Sequence, residues 1–223
     1  SGEDDTARTQ DAVRLANGRK ILRTWRLKRK VGIWIWPRHD GGKNNMAGKS
    51  SRVLVIDASV AHASGGEDAM FPTSVRCRDF LKAVLRICHR MAMSPAVAEE
   101  WNKHQSHFAR RWRVAMTSKK KIVYCEAGSN KNLRTRITQA AVGDKESAAM
   151  LKDIHLLEAA QATDRIEVSL DETVRKLFAQ AARRIGELKS ITWVNPDESE
   201  EKPIAWLEQK MRQDKSRQLG HTD

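Results

Sequence analysis

An unbroken apolar run, VLVI, occupies residues 53–56 and ends on an acid, Asp57. A short continuous run of Val, Ile and Leu is typical of a strand that is buried on both faces of a parallel sheet. Such a strand constrains the fold strongly, because helices must cover both sides of its sheet. Ligands of these sheets bind beyond the carboxyl ends of the strands, where Asp57 lies. Capping of the next helix is the alternative role for this carboxylate.

Strand and helix patterns alternate along the rest of the chain. The segment RIEVSLD alternates Ile166, Val168 and Leu170 and, like the first strand, ends on an acid, Asp171. Further strands are predicted at residues 121–125 and 191–194, and amphipathic helices at 73–90, 95–116, 129–141, 145–163, 172–186 and 203–212. Strands that alternate with helices predict an α/β fold, with a parallel sheet flanked by helices on both faces.

The net charge of +13 limits the classes of partner. It favours a polyanion, because basic side chains that neutralise phosphates release counterions. Aromatic residues make up 5% of the chain, so we expect charge rather than base stacking to dominate such binding. No apolar run approaches the roughly 20 residues of a membrane span, and the start, SGEDDTARTQ, is unlike a signal peptide. The three cysteines show no metal-site spacing. We therefore expect a cytoplasmic protein with no membrane partner.

The first fifty residues differ in composition from the rest of the chain. Residues 1–45 hold eleven Lys or Arg against five Asp or Glu, and a Pro- and Gly-containing break follows the segment GIWIWP. Met46 stands just before the first strong strand and resembles a start of translation. We predict that residues 1–50 are a basic, poorly ordered N-terminal extension, with a nucleic-acid-binding arm as the alternative.

Acidic residues recur where the predicted sheet would bring them together. Asp57 and Asp171 both end strands, and parallel neighbours place their carboxyl ends at one edge. Asp153 lies in the helix before the second of these strands, and Glu99 or Glu100 lies one turn into the helix that starts at Pro95. Clustered carboxylates repel one another unless a cation neutralises them, and oxygen ligands suit Mg²⁺ or Mn²⁺. An acidic metal pocket in a basic protein is typical of a nuclease.

Four motifs in order, VIDASV, SPAVAEEW, KDIHLLEAA and VSLD, resemble those of PIN-domain nucleases. The family includes many prokaryotic toxin–antitoxin ribonucleases, and the resemblance covers about residues 52–196. It implies a PIN-like nuclease domain over residues 51–223, an endoribonuclease that hydrolyses phosphodiester bonds with Mg²⁺ or Mn²⁺. It also implies RNA as the substrate, a role as the toxin of a toxin–antitoxin pair, and an antitoxin protein and a second copy of the chain as candidate partners.

The resemblance also implies which residues form the site. The catalytic metal ligands would be Asp57, Glu100, Asp153 and Asp171. Glu100 is preferred to Glu99 because the Glu of the family usually lies six residues after the Ser and before an aromatic residue. Ser59 and Ser169 match small hydroxyl positions that orient carboxylates. Ser59 is also a departure, since the family often has Asn there.

Basic residues follow the Glu100 helix along the chain. They are candidates for guiding an RNA backbone to the site, and the alternative is an ordinary solvated face. The candidates are His104, His107, Arg110, Arg111, Arg113, Lys119, Lys120 and Lys121. His155 lies two positions after Asp153, and we expect it to pack or hydrogen-bond rather than act as a base.

Three other functional classes are alternatives to a nuclease. Phosphatase chemistry of the haloacid dehalogenase type needs a second Asp two residues after the first, where this chain has Ser59. A non-catalytic nucleic-acid-binding protein that keeps the PIN fold is the main alternative, because charge alone supports binding. A scaffold that binds a partner protein is the third hypothesis.

Overall fold

The computed structural model of the protein describes residues 51–209, 211 and 214–221. Within these residues, five strands form one all-parallel sheet in the order β3-β2-β1-β4-β5. The strands are β1 (Val53–Ile56), β2 (Arg90–Met93), β3 (Ile122–Tyr124), β4 (Ile166–Val168) and β5 (Thr192–Val194). The extension predicted over residues 1–50 lies outside the described part of the chain.

Eight α-helices accompany the sheet within the described residues. They are α1 (Ala58–Ala63), α2 (Pro72–Ile87), α3 (Pro95–His104), α4 (His107–Ser118), α5 (Lys131–Ala140), α6 (Asp144–Gln161), α7 (Glu172–Ala182) and α8 (Pro203–Glu208). The prediction of an α/β fold with a parallel sheet flanked by helices is confirmed. Over the ranges that the structure describes, no helix combines the length and the hydropathy of a membrane span.

The central strand, β1, is covered on both faces, as its apolar run predicts. All four of its residues are buried, and successive side chains of a strand point to opposite faces. One group of core residues joins β1 and β2 to helices α2, α3 and α4. A second group packs α5, α6 and α7 around Trp193 of β5. The two groups bury the sheet and leave the ends of the strands as the place for a site.

Three local predictions were wrong. Strand β2 was not predicted; its sequence, RMAM, is too short to show a period, and its pairing with β1 and β3 defines it. The helix expected over residues 95–116 is two helices, because Ser106 caps α4 by accepting a hydrogen bond from Ala109 N at 3.2 Å. Helix α8 ends at Glu208 rather than near residue 212.

Trp101 fixes helix α3 against the end of β1. Its ring is fully buried, and Nε1 donates a hydrogen bond to the carbonyl of Ile56 at 2.7 Å. In the sequence, Trp101, Phe108 and Trp112 share one stripe at helical spacing, which predicts core residues rather than a binding platform. The ring of Trp101 packs against Trp112 with centroids 5.9 Å apart, and both side chains are buried, so this prediction is confirmed. Because Ile56 immediately precedes Asp57, this contact brings the neighbour of Trp101, Glu100, to the carboxyl edge of the sheet.

Candidate active site

Asp57 stands at the carboxyl end of β1, and two serine hydroxyls hold its carboxylate. The Oγ of Ser59 donates to Asp57 Oδ2 at 2.5 Å, and the Oγ of Ser169 donates to the same oxygen at 2.7 Å. Asp57 occupies the N-cap position of α1, but its side chain makes no capping hydrogen bond. The alternative of a capping side chain at Asp57 is therefore wrong, because the carboxylate turns toward the two serines instead.

The same serines join the ends of β1 and β4. Asp57 N donates to the carbonyl of Val168 at 2.9 Å, and Leu170 N donates to Ser59 Oγ at 3.3 Å. Asp171 N donates to Ser169 Oγ at 3.2 Å. These bonds fix the chain around both acids, so the two strand ends form one rigid edge.

Asp171, unlike Asp57, does cap its helix. Its Oδ1 accepts a hydrogen bond from Val174 N at 2.8 Å and so satisfies one free N–H group at the start of α7. A carboxylate can accept several hydrogen bonds or ligate a cation with its other oxygen. The capping bond therefore positions the carboxylate at the edge and is compatible with a ligand role.

Glu100 meets helix α6 at a buried histidine. Its Oε2 lies 3.2 Å from Nε2 of His155, although this contact lacks the geometry of a hydrogen bond. The Nδ1 of His155 lies 3.0 Å from the carbonyl of Lys152, to which it can only donate. His155 thus packs and hydrogen-bonds as the sequence suggests. It also places Glu100 beside the turn of α6 that carries Asp153.

All four predicted carboxylates line one cavity of about 290 Å³. Asp57 follows β1 and Asp171 lies just after β4. Glu100 belongs to helix α3 and Asp153 to helix α6. Glu99, by contrast, points to solvent and pairs with Lys103 at 2.6 Å. The remaining polar side chains of the cavity are Ser59, His62, His104 and Lys152.

His62 and Lys152 were not identified from the sequence, whereas His104 belongs to the basic run predicted to guide RNA. His62 Nδ1 lies 3.2 Å from the carbonyl of His104, which links α1 to the end of α3 at the rim of the cavity. His62 follows Ser59 by three residues on α1, so helical spacing from the serine was the available signal. The nitrogen atoms of His62, His104 and Lys152 can donate hydrogen bonds to an anion that enters the acidic cavity.

Asp153 has the strongest electrostatic signature among the four acids. Its pKa is raised from the ordinary value of 3.8 to about 6, chiefly by burial and then by the negative charges of Asp57, Asp171 and Glu100. Lys152 acts in the opposite direction. The ionised site is therefore electrostatically unfavourable without a cation, which is the condition that favours cation binding.

We expect Asp153→Asn to stabilise the metal-free protein by about 2 kcal/mol above pH 6, because the wild-type carboxylate then ionises at a cost. The folded pKa lies above the unfolded value, so the wild type gains protons on folding between pH 3.8 and about 6. Its stability therefore falls as the pH rises through this window, and the advantage of the variant disappears near pH 4. Denaturant titrations in chelator at several pH values measure the difference.

Asp144→Asn is the matched control, since Asp144 is exposed in the first turn of the same helix. Its carboxylate favours the helix N-terminus, so this variant is expected to lose a few tenths of a kcal/mol at neutral pH. An Asp153→Asn variant that is less stable than the wild type at pH 8 would contradict the electrostatic account.

The side chains of the cavity offer oxygen ligands for a metal ion. Within the described residues, no group of three or more His, Cys, Asp or Glu side chains is arranged to hold a metal ion. The donor chemistry does fit Mg²⁺ or Mn²⁺, because the acids offer only hard oxygen ligands around one cavity. Clustered carboxylates repel one another, and a bound cation would offset that repulsion.

Glu167 is a buried acid that was not singled out from the sequence. It lies in the middle of β4 with no exposed surface, and both of its carboxyl oxygens lack hydrogen-bond partners. Burial raises its pKa well above the usual range, and Asp57, Asp153 and Glu100 act in the same direction. Alternation along β4 is typical of a strand with one face exposed to solvent, but all three residues of β4 are buried and helix α6 packs against the strand.

Apart from His104, the basic residues predicted to guide RNA do not line the cavity. Arg111 pairs with Glu67 at 2.7 Å, and Arg113 donates to Asn102 at 2.9 Å. Arg110 is exposed on the same helix, α4. Residues 119–121 precede β3, so they lie at the amino edge of the parallel sheet, opposite the acids. They cannot contact a phosphate that lies in the cavity.

Comparisons of the chain with known protein families, curated proteins and solved structures found no match. The resemblance to PIN-domain nucleases therefore remains a prediction that rests on four short motifs.

Proposed function

We propose that this protein is a divalent-metal-dependent ribonuclease that hydrolyses phosphodiester bonds. The observation that carries the proposal is the cavity at the carboxyl edge of the sheet, which is lined by Asp57, Glu100, Asp153 and Asp171. The acids come from segments far apart in sequence, and the whole chain of 223 residues has a net charge of +13. An acidic pocket in a basic protein suits a polyanionic substrate that is cut with a cation.

The four acids would hold Mg²⁺ or Mn²⁺. When bound, such an ion lowers the pKa of a water molecule and offsets negative charge on the phosphate. Ser59 and Ser169 keep the carboxylate of Asp57 in one orientation through their hydrogen bonds to Oδ2. His62 and Lys152 line the same cavity and can donate hydrogen bonds to phosphate oxygens. No side-chain nucleophile is required.

The proposal includes the biological setting that the resemblance implies. The protein would be a PIN-like nuclease of the cytoplasm with RNA as its substrate. A role as the toxin of a toxin–antitoxin pair, an antitoxin protein as inhibitor and a homodimer remain predictions that accompany it.

Cleavage assays test the proposal directly. We expect the protein to cut RNA in Mg²⁺ or Mn²⁺, and the chelator to abolish cutting. We expect Glu100→Gln to lower kcat/KM by about 10²-fold, because Glu100 lines the cavity, whereas Glu99→Gln keeps wild-type activity. A panel of structured and single-stranded RNAs, followed over time, gives the measurement.

The pair of adjacent glutamates serves as its own control. Both substitutions remove one negative charge from α3, so a general electrostatic effect on RNA binding would change both variants alike. Equal activities of the two variants would contradict a role for Glu100. The absence of cutting with any metal would overturn the proposal itself.

A non-catalytic nucleic-acid-binding protein is the second candidate. One observation favours it: within the described part of the chain, no three acidic side chains converge closely enough to hold a metal. Such a protein would bind RNA equally in chelator and in Mn²⁺, and Mn²⁺ would not raise its melting temperature. The nuclease proposal expects Mn²⁺ to stabilise the protein, because the ion binds only the folded state.

A further inference from the structure

A second and larger concavity lies on the other side of helix α3. It has a volume of about 530 Å³ and lies between α3, α4 and the edge strand β3. We call it the β3 groove. Its lining comprises Met93, Ala98, Asn102, Arg113, Val114, Thr117, Ser118, Ile122 and Tyr124.

The β3 groove presents an exposed aromatic ring. Tyr124 is 75% exposed, although it ends a strand of the sheet, and it is the single tyrosine of the chain. Val114, also in the lining, is 65% exposed. A base is flat and apolar on its faces, so an exposed ring beside an aliphatic side chain is a surface on which one unpaired base can stack.

The charge of the β3 groove favours an anion. Arg113 is its charged residue, and among the described residues that line it there is no Asp or Glu. The guanidinium of Arg113 donates to the amide oxygen of Asn102 at 2.9 Å. Thr117 and Ser118 add hydroxyls to the lining. A phosphodiester chain matches these donors.

Helix α3 separates the β3 groove from the acidic cavity. Ala98 and Asn102 of this helix line the groove, whereas Glu100 and His104 line the cavity. A helix with its side chains is about 10 Å across. Met93 and Tyr124 end β2 and β3 at the same sheet edge as Asp57, so one strand of RNA can cross α3 and reach both places.

We infer that the β3 groove binds a nucleotide of single-stranded RNA near the scissile phosphate, with its base stacked on Tyr124 and its phosphate beside Arg113. The inference rests on the proposed function, since it assigns a substrate subsite to the same reaction. It also gives a role to Arg113 away from the acids. One ring holds one base, which agrees with an aromatic content too low for a stacking platform.

Binding is tested on the full chain with Asp57→Asn and in chelator, so that no RNA is cut. The probe is a short fluorescent single-stranded RNA of mixed sequence, followed by anisotropy. Tyr124→Ala is expected to weaken binding roughly 5- to 100-fold, whereas Tyr124→Phe keeps the affinity because the ring remains. Phe71→Ala is the matched control, since Phe71 is 68% exposed and lines neither cavity.

Ultraviolet cross-linking with peptide mapping gives a readout that a merely structural effect would not produce. The RNA adduct is expected on Tyr124. The inference is overturned if Tyr124→Ala binds single-stranded RNA as tightly as Tyr124→Phe does. It is also overturned if Tyr124→Ala weakens the binding of duplex RNA as much as the binding of single-stranded RNA. A peptide that adds to the edge of β3 and does not compete with RNA would also overturn it.

The results separate this inference from the proposed function. If cleavage depends on Glu100 and Tyr124→Ala binds RNA like the wild type, the nuclease proposal stands and the nucleotide subsite is overturned. Single-stranded RNA binding that depends on Tyr124, without cutting in any metal, supports the subsite and overturns the nuclease.

Discussion

Asp57→Asn is expected to reduce metal-dependent RNA cleavage by at least about 10²–10³-fold, while the protein keeps its fold. Asp57 receives the hydroxyls of Ser59 and Ser169 on one oxygen, Oδ2, and its carboxylate lines the cavity together with the three other acids. Asn preserves the shape and an oxygen acceptor for the serines but removes the negative charge that a cation needs. Steady-state kcat/KM measures the loss, and a melting transition near that of the wild type shows that folding is preserved.

Ser59→Ala is the graded control for Asp57. It removes one hydrogen bond to Oδ2 and leaves the charge in place, so a smaller loss of about 10-fold in activity is expected. The serine variant should also require more Mn²⁺ for half-maximal activity, because the carboxylate is less well oriented. An Asp57→Asn protein that folds and cuts RNA at the wild-type rate would contradict the site.

Glu167→Gln is expected to stabilise the metal-free protein by about 1–3 kcal/mol at pH 8, with a smaller gain toward pH 5. Glu167 is fully buried with both oxygens unpartnered, and burial together with Asp57 raises its pKa well above the usual range. Since the folded pKa exceeds the unfolded one, the folded state keeps a proton that the unfolded state releases. The wild type therefore loses stability as the pH rises above about 4.5, whereas the neutral amide does not.

Denaturant titration at pH 5 and pH 8 in chelator measures this effect. Glu126→Gln is the matched control, because Glu126 is exposed and its loss should change the free energy of unfolding by less than about 0.5 kcal/mol at both pH values. If Glu167→Gln gains no stability between pH 5 and pH 8 relative to the wild type, the carboxyl has a partner that satisfies it.

The sequence was most informative where a pattern is local. The run VLVI marks β1 because four adjacent apolar residues suit only a strand covered on both faces. The helical spacing of Trp101 and Trp112 identified two core residues, although the break at Ser106 divides their helix. Strand β2 was not predicted, because the four residues RMAM are too few to show a period. The strand is defined by its pairing with β1.

The four acids of the site could be chosen from motifs, but their meeting is a property of the tertiary structure. Asp57 and Asp171 share an edge because β1 pairs with β4 across more than a hundred residues. The strand ends alone predicted that edge, since parallel pairing aligns carboxyl ends. The positions of Glu100 and Asp153 depend on how α3 and α6 pack, which the sequence does not encode locally.

The sequence by itself determined the fold class, the two acids that end strands and the strong positive charge, because each follows from periodicity or composition. Only the tertiary structure decided that Asp57 is held by serines rather than capping a helix, and that Glu167 is buried without partners. It also placed residues 119–121 at the sheet edge opposite the acids and opened the β3 groove beside α3. Burial and distance depend on which distant segments cover a residue, and the residue's neighbours in sequence do not specify them.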